Sequence, residues 1–580
     1  MRERAKRWLS RPELPWLAAL VAVVLSGTAL GNGFIADDHF LRGTSLGLHP
    51  PELSVATPWD LFRFYPADPR IIEAWRELGI APWWMPLGFA VGFFRPVTSA
   101  LHRIDFLLWP DSALWMHAHS LLWLAGTVFI VALLYRRFEA RAWVAGLAAL
   151  VFAMDDVHSI PAGWISNRST VVATFFVALA LFAHDRWRRD GWRAGAVLAP
   201  LALAFGLVSG EIALGMLGYF VAHAWVFERT LRDRVRALAP AVALVAVWRV
   251  AYVAMGYRTE LSGLYIDPLR SPGPFALGLV ERFPTLLFAQ LGGWASDFYP
   301  LAPSGARRVL FLVSVAGSVL ILVGFARLLS ADRVARFWAL GLGLALVPAC
   351  ATFPNDRLLF VASIGAAPLV ARALGSVGME VPQWFGAFLV LVHLVVSPLA
   401  MPWRVASMKA FGRVGERMVH ALPRDLAGRT LVVVNMPDGL LCAQLITQTA
   451  SQGVDPPHIL RCVGVTTAAL EVNRESERTL LLRPARSYFT APMDGLLRAP
   501  ELPWHVGDRV GTSVVSFEVT RLDGEGKPSE LRAEFALPMG SDAIRMLTWD
   551  GHGLIAFVPP PVGESVRFPE TSLIELMTGD

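Results

Sequence analysis

The chain has 580 residues, 54% of them hydrophobic and 17% charged, with a mean hydropathy of +0.48 and a formal net charge of +5. So much apolar surface excludes a soluble domain of this size and calls for a chain that crosses a membrane repeatedly. The small positive charge sits in arginines flanking apolar segments, so it reflects topology and excludes nucleic-acid binding as its explanation.

In chain order, Arg2, Arg4, Lys6, Arg7 and Arg11 precede an apolar segment at residues 14–31, which predicts a first span with a cytoplasmic N-terminus. The same basic, apolar, small-residue order also describes a cleaved secretion signal. Under either reading Asp37 faces outward. Asp37 and Asp38 follow directly, within Asn32–His39. A carboxylate held just outside a span belongs to an ion site, a proton path or a catalytic centre; the plainer alternative is that the pair caps a solvated loop. The first outward loop carries Pro58, Trp59, Tyr65, Pro66, Pro82, Trp83, Trp84 and Pro86, and is too long and aromatic to be a connector. Its Trp-rich end with Leu87 to Phe94 predicts an amphipathic helix in the headgroup region, continued by Thr98 to Trp109.

Apolar segments recur near residues 111–134, 142–154, 169–184, 194–209, 212–227, 237–254, 308–326, 337–352, 357–373 and 382–402, which with the first make about eleven crossings. Arg136, Arg137 and Arg141, then Arg186 to Arg193, Arg229 to Arg236 and Arg327 to Arg336, place alternate connections in the cytoplasm. Asp155, Asp156, His158, Glu211 and Arg357 then fall on outward turns. Gly273 to Phe298 is apolar but interrupted by Glu281 and Arg282, and reads as interfacial or re-entrant. From about Pro423 the pattern turns to short β-type runs at Leu431–Asn435, Leu480–Leu482, Val514–Val519, Leu531–Leu537 and Leu554–Val558. The expected fold is a multi-span α-helical membrane protein with a C-terminal β-rich soluble domain. Its parts are a polytopic domain at 1–403 with a long outward loop at 32–110, a linker at 404–422 and an extracytoplasmic domain at 423–580. Cys442 and Cys462 lie in that last part, where an oxidising compartment would permit a disulfide.

Five pieces, in order, carry a resemblance: Asn32–His39; Phe94–Val97 with Asp105–Trp109; Phe152–Ser159 with Gly163–Arg168; Ser209–Glu211; and Asn355–Phe360 followed by Ser363–Gly365. Together they resemble the GT-C membrane glycosyltransferases, and the last two resemble the protein O-mannosyltransferase-like branch, here without its tetratricopeptide repeats. The resemblance spans about residues 10 to 400. It implies a sugar donor on a polyprenyl phosphate or diphosphate, mannose among the sugars, and an extracytoplasmic protein, lipid or glycan acceptor. It also implies that Asp37 or Asp38 is the catalytic carboxylate. The chemistry agrees: a hydroxyl attacking an anomeric carbon must lose a proton, and a carboxylate within reach can take it.

Arg357, at the outward start of a late span, could hold the donor phosphate through two parallel hydrogen bonds, with Arg95 and Arg168 as second choices. Asp155, Asp156 and His158 could orient the acceptor, although the family commonly has His-Pro at the Asp155-Asp156 positions and Glu at Ile160. Glu211 needs a partner as it enters the bilayer, and the Lys that the family often places at Gly210 is absent. No cofactor is required; a divalent cation, if one is present, would find ligands in Asp37, Asp38 and His39. Two rival readings are a transporter or flippase of lipid-linked intermediates, and a noncatalytic scaffold. The cytoplasmic (inner) membrane is the expected location.

Overall fold

The computed structural model describes residues 3–49, 53, 57–426, 428–454, 457–491 and 493–572. All eleven segments read as spans are helical. Among the described residues seven helices are long and apolar enough to cross a membrane, at Leu14–Gly31, Ala113–Phe138, Ile165–Asp190, Leu231–Ala254, Gly305–Ala331, Asp356–Leu374 and Gln383–His420. Ala142–Ala153 and Asp156–Gly163 form a pair bent by 42° that would make an eighth. The bend sits where the Asp155 side chain accepts from the Val157 N–H at 3.3 Å, giving the freed backbone a local partner. The remaining segments, Gly195–Leu207, Glu211–Phe227 and Arg333–Ala349, are shorter. This is a multi-pass helical membrane protein with a C-terminal β-sheet region, as the hydropathy pattern predicted.

The chain forms two compact units. One comprises Met1–Gly33, Phe93–Tyr257 and Ile266–Met408; the other Phe34–Gly92, Arg258–Tyr265 and Lys409–Asp580. In the first, helices close on small residues, as they must where no hydrophobic force between helices operates. A Cβ on Gly365 would stand 2.7 Å from the Trp338 carbonyl, and one on Gly218 2.8 Å from the Ala345 nitrogen. The Tyr135 hydroxyl donates to the Ile364 carbonyl at 3.0 Å, and that of Tyr219 to Val361 at 3.0 Å. Both bonds satisfy a buried polar end in the apolar interior.

The second unit contains three sheets. Strands Arg63–Tyr65, Ala90–Gly92 and Thr259–Glu260 pair antiparallel in that order. A four-stranded sheet runs Leu554–Ala556, Ile544–Trp549, Thr430–Met436, Ile459–Val465, the last three parallel. A six-stranded antiparallel sheet runs Ser565–Phe568, Leu470–Arg474, Thr479–Pro484, Pro528–Phe535, Val515–Leu522, Arg509–Gly511. All five β runs read from the sequence fall on strands, and the structure adds strands Ile459–Val465, Leu470–Arg474, Arg509–Gly511, Ile544–Trp549 and Ser565–Phe568 together with helix Gly439–Ser451, which joins two parallel strands, the crossover that parallel pairing requires. Asp438 starts it by accepting from Leu440 N–H at 2.7 Å. Cys442, on this helix, is disulfide-bonded to Cys462 of the next strand.

The headgroup helix expected at Leu87–Phe94 is a turn leading into strand Ala90–Gly92. Its neighbours Trp83 and Trp84 are core, 4% and 1% exposed. The Trp83 ring stacks on Phe517 at 5.0 Å and 9°, and its Nε1–H donates to the Val463 carbonyl at 2.9 Å. Pro82, Pro86 and Gly88 disfavour a helix here. Tryptophan, apolar with one polar handle, suits a buried site with one acceptor as well as a membrane surface.

Candidate active site

Asp37 and Asp38 open helix Asp37–Leu46, entered through Ala36 at φ +46°. A side-chain-bearing residue in that region costs of order 1–3 kcal/mol and needs surroundings that hold it. Asp38 supplies one such hold: fully buried, it accepts from the Ile35 N–H at 2.9 Å across Ala36. Asp37 is half-buried, and Gln444 Nε2 donates to its Oδ1 at 3.4 Å. The two neighbours thus have different environments, one closing the turn and one at a partly open position. Tyr65 lies close enough to Asp37 for that charge, after burial, to push the phenol up.

His39 Nδ1 is 2.9 Å from the Ser451 hydroxyl. Among the described residues no group of three or more His, Cys, Asp or Glu side chains is placed to hold a metal ion. Burial, and then the Arg42 charge, depress the His39 imidazole from 6.5 to about 4. A depressed histidine contributes stability that is present above its unfolded value and lost as pH falls through the folded one. The stability of the wild-type protein is therefore expected to fall by up to about 3 kcal/mol between roughly pH 6.5 and pH 4 through this residue. Denaturant unfolding of wild type and His39→Gln across that window checks this; equal slopes for the two proteins would contradict it.

In the membrane unit the motif residues pair with one another. Arg95 bonds Glu211 at 2.7 Å, and its guanidinium lies over Phe93, so the partner that Glu211 needed is Arg95. Arg168 is fully buried and ion-paired with Asp105, and it donates to the Ser120 hydroxyl at 2.8 Å and the Met116 carbonyl at 2.7 Å. His158 Nε2 is 3.0 Å from the Ser363 hydroxyl, its ring stacked on Phe360 at 4.0 Å. Asp155 accepts from Gln290 Nε2 at 2.9 Å.

One further cluster centres on a residue that the sequence did not single out. Arg404 meets Asp156 at 2.6 Å, Asp297 at 2.6 Å and Asp356 at 2.7 Å. Ser397 donates to Asp156 at 2.7 Å, and the Ser296 N–H and hydroxyl donate to Asp356 at 2.8 and 2.6 Å. Burial, and then the Asp356 charge, hold the Asp297 carboxyl above the usual carboxylate range. With Asp356 so engaged, Arg357 carries no ion pair among the described residues. Its guanidinium lies between Trp164 and Phe353, 5.9 and 5.8 Å from their ring centres. The residue is half-buried, and a guanidinium is attracted by aromatic faces of this kind.

No family model matches the chain, and no curated protein matches it in sequence. Among solved structures it is similar to the Archaeoglobus fulgidus oligosaccharyltransferase tethered with an acceptor peptide, at 12% identity and a TM-score of 0.37, covering 78% of this chain and 64% of that one. The chain therefore spans less than two thirds of that protein's length. It is also similar to ArnT from Cupriavidus metallidurans bound to undecaprenyl phosphate (14%, TM-score 0.36, 77% and 89%). A third likeness is to the arabinofuranosyltransferase AftD from Mycobacteria (16%, TM-score 0.31, 92% and 40%). At these identities and scores none of the three assigns an activity to this chain.

Proposed function

We propose that the chain is a membrane glycosyltransferase of the GT-C type. It moves a sugar from a polyprenyl-phosphate-linked donor to an acceptor hydroxyl on the outer side of the cytoplasmic membrane, with its N-terminus inside and residues 423–580 outside. The observation that carries this reading is the mutual pairing of the motif residues, Arg95 with Glu211, Arg168 with Asp105, His158 with Ser363, and Asp156 with Asp356 through Arg404. Stretches far apart in sequence that pair through charged and polar side chains in a membrane chain point by default to a functional site.

In the proposed reaction the acceptor oxygen forms a bond to the anomeric carbon as the bond from that carbon to the lipid phosphate breaks. The phosphate leaves with the electron pair, and the acceptor proton passes to a carboxylate. Asp37 is the carboxylate proposed for that proton, being half-buried where Asp38 is occupied in its turn. Arg357 is proposed to hold the departing phosphate, a good leaving group that needs charge stabilisation more than protonation. Mannose is the proposed sugar, and a secreted protein, ahead of a lipid or glycan, the proposed acceptor. Purified protein in lipid, offered a panel of radiolabelled polyprenyl-phosphate sugars with membrane extract as acceptor, is expected to transfer label from one donor. No transfer from any donor would contradict the reading.

A further inference from the structure

Helix Gly439–Ser451 is apolar over most of its length, yet Gln444, Gln448 and Ser451 recur at i, i+4 and i+7, which places them on one face. Two of the three meet the helix that begins with the aspartate pair. Gln444 Nε2 donates to Asp37 Oδ1 at 3.4 Å, and the Ser451 hydroxyl lies 2.9 Å from His39 Nδ1. Arg42 of that same helix also donates to the Ser451 carbonyl. The disulfide from Cys442, two residues before Gln444 and so on the opposite side of the helix, ties the helix to strand Ile459–Val465, so the amide is delivered from a fixed support.

We infer that Gln444 is a positioning residue for the Asp37 carboxylate, and that the β-rich C-terminal region therefore contributes to the transfer step. This rests on Asp37 being the proton acceptor. The amide N–H fixes the rotamer of a side chain standing at a helix start, where several orientations are open to it, and stabilises its charged form. At 3.4 Å the bond is at the long end of the hydrogen-bonding range.

The test is the pH profile of kcat for wild type, Gln444→Leu, Gln444→Glu and Asp37→Asn, with the KM for the lipid-linked donor measured alongside. Gln444→Leu is expected to lower kcat about tenfold, as removal of a bond to a charged group does, with donor KM unchanged. Its acid limb should move to higher pH, and that of Gln444→Glu further, because a second carboxyl opposes ionisation of the first. A merely structural role would lower the melting temperature without moving the limb. If Asp37→Asn is inactive but Gln444→Leu keeps the wild-type kcat and limb, the positioning role is wrong while Asp37 stands. If Asp37→Asn stays active, the assignment of Asp37 itself is wrong, and this inference falls with it.

Discussion

Replacing Asp37 with asparagine is expected to cut sugar transfer by about 10²- to 10⁴-fold, the range for removing a general base, without lowering the unfolding temperature. Asparagine has nearly the same size and can still accept from Gln444, so packing at this half-buried position survives while basicity is lost. The neighbouring position behaves in the opposite way. Asp38→Ala removes the acceptor of the Ile35 N–H and the hold on Ala36 at φ +46°, and should cost about 1–3 kcal/mol of stability. Activity in the fraction that folds should fall much less than in Asp37→Asn. Transfer rates normalised to folded protein, with thermal unfolding of both variants, separate the two roles. A larger loss of transfer in Asp38→Ala than in Asp37→Asn would exchange them.

Arg404→Gln is expected to destabilise the membrane unit by about 3–5 kcal/mol, the cost of leaving buried charges without their partner. Three carboxylates converge on this one guanidinium, from the bend at Asp156, from Asp297 and from the start of the span at Asp356. The glutamine amide can donate to at most two of them and brings no charge. Arg357→Gln, one residue from Asp356, should leave stability nearly unchanged because Arg357 holds no ion pair among the described residues. Its effect should instead be a raised KM for the lipid-linked donor. Denaturant unfolding and donor titration of both variants check the contrast. A destabilised Arg357→Gln beside a stable Arg404→Gln would overturn the assignment of the hub.

The helices were legible because hydrocarbon leaves the sequence little freedom: every segment read as a crossing is helical, although among the described residues only seven, or eight with the bent pair, are long and apolar enough to cross a membrane. The β strands at Thr430–Met436 and Val515–Leu522 were legible for a related reason, an apolar run or alternation bounded by turn residues. Helix Gly439–Ser451 was not anticipated, although Asp438 before an apolar run is a start signal. Trp83 and Trp84 were assigned to the headgroup region because aromatic residues near a span favour that place, whereas only tertiary contact with Val463 and Phe517 reveals them as core. At the candidate site, Asp37 and Arg357 could be singled out from local context. Arg404 and Asp297 could not, because Arg404 meets Asp156 across 248 residues, and nothing about an arginine in a late apolar helix names its partners. Gln444 shares that difficulty, since an amide on a helix carries no signal until the carboxylate it faces is known.

The central claim, that this chain breaks a sugar–phosphate bond on a lipid carrier and makes a new glycosidic bond, is tested most directly by following that bond. Proteoliposomes would be loaded with a donor labelled with one isotope in the polyprenyl chain and another in the sugar, and supplied with acceptor outside. The account predicts that the labels part, the sugar label appearing in the acceptor with an equal amount of free polyprenyl phosphate, and that Asp37→Asn leaves them joined. Both labels crossing the bilayer together on an intact donor would contradict it and make the chain a transporter.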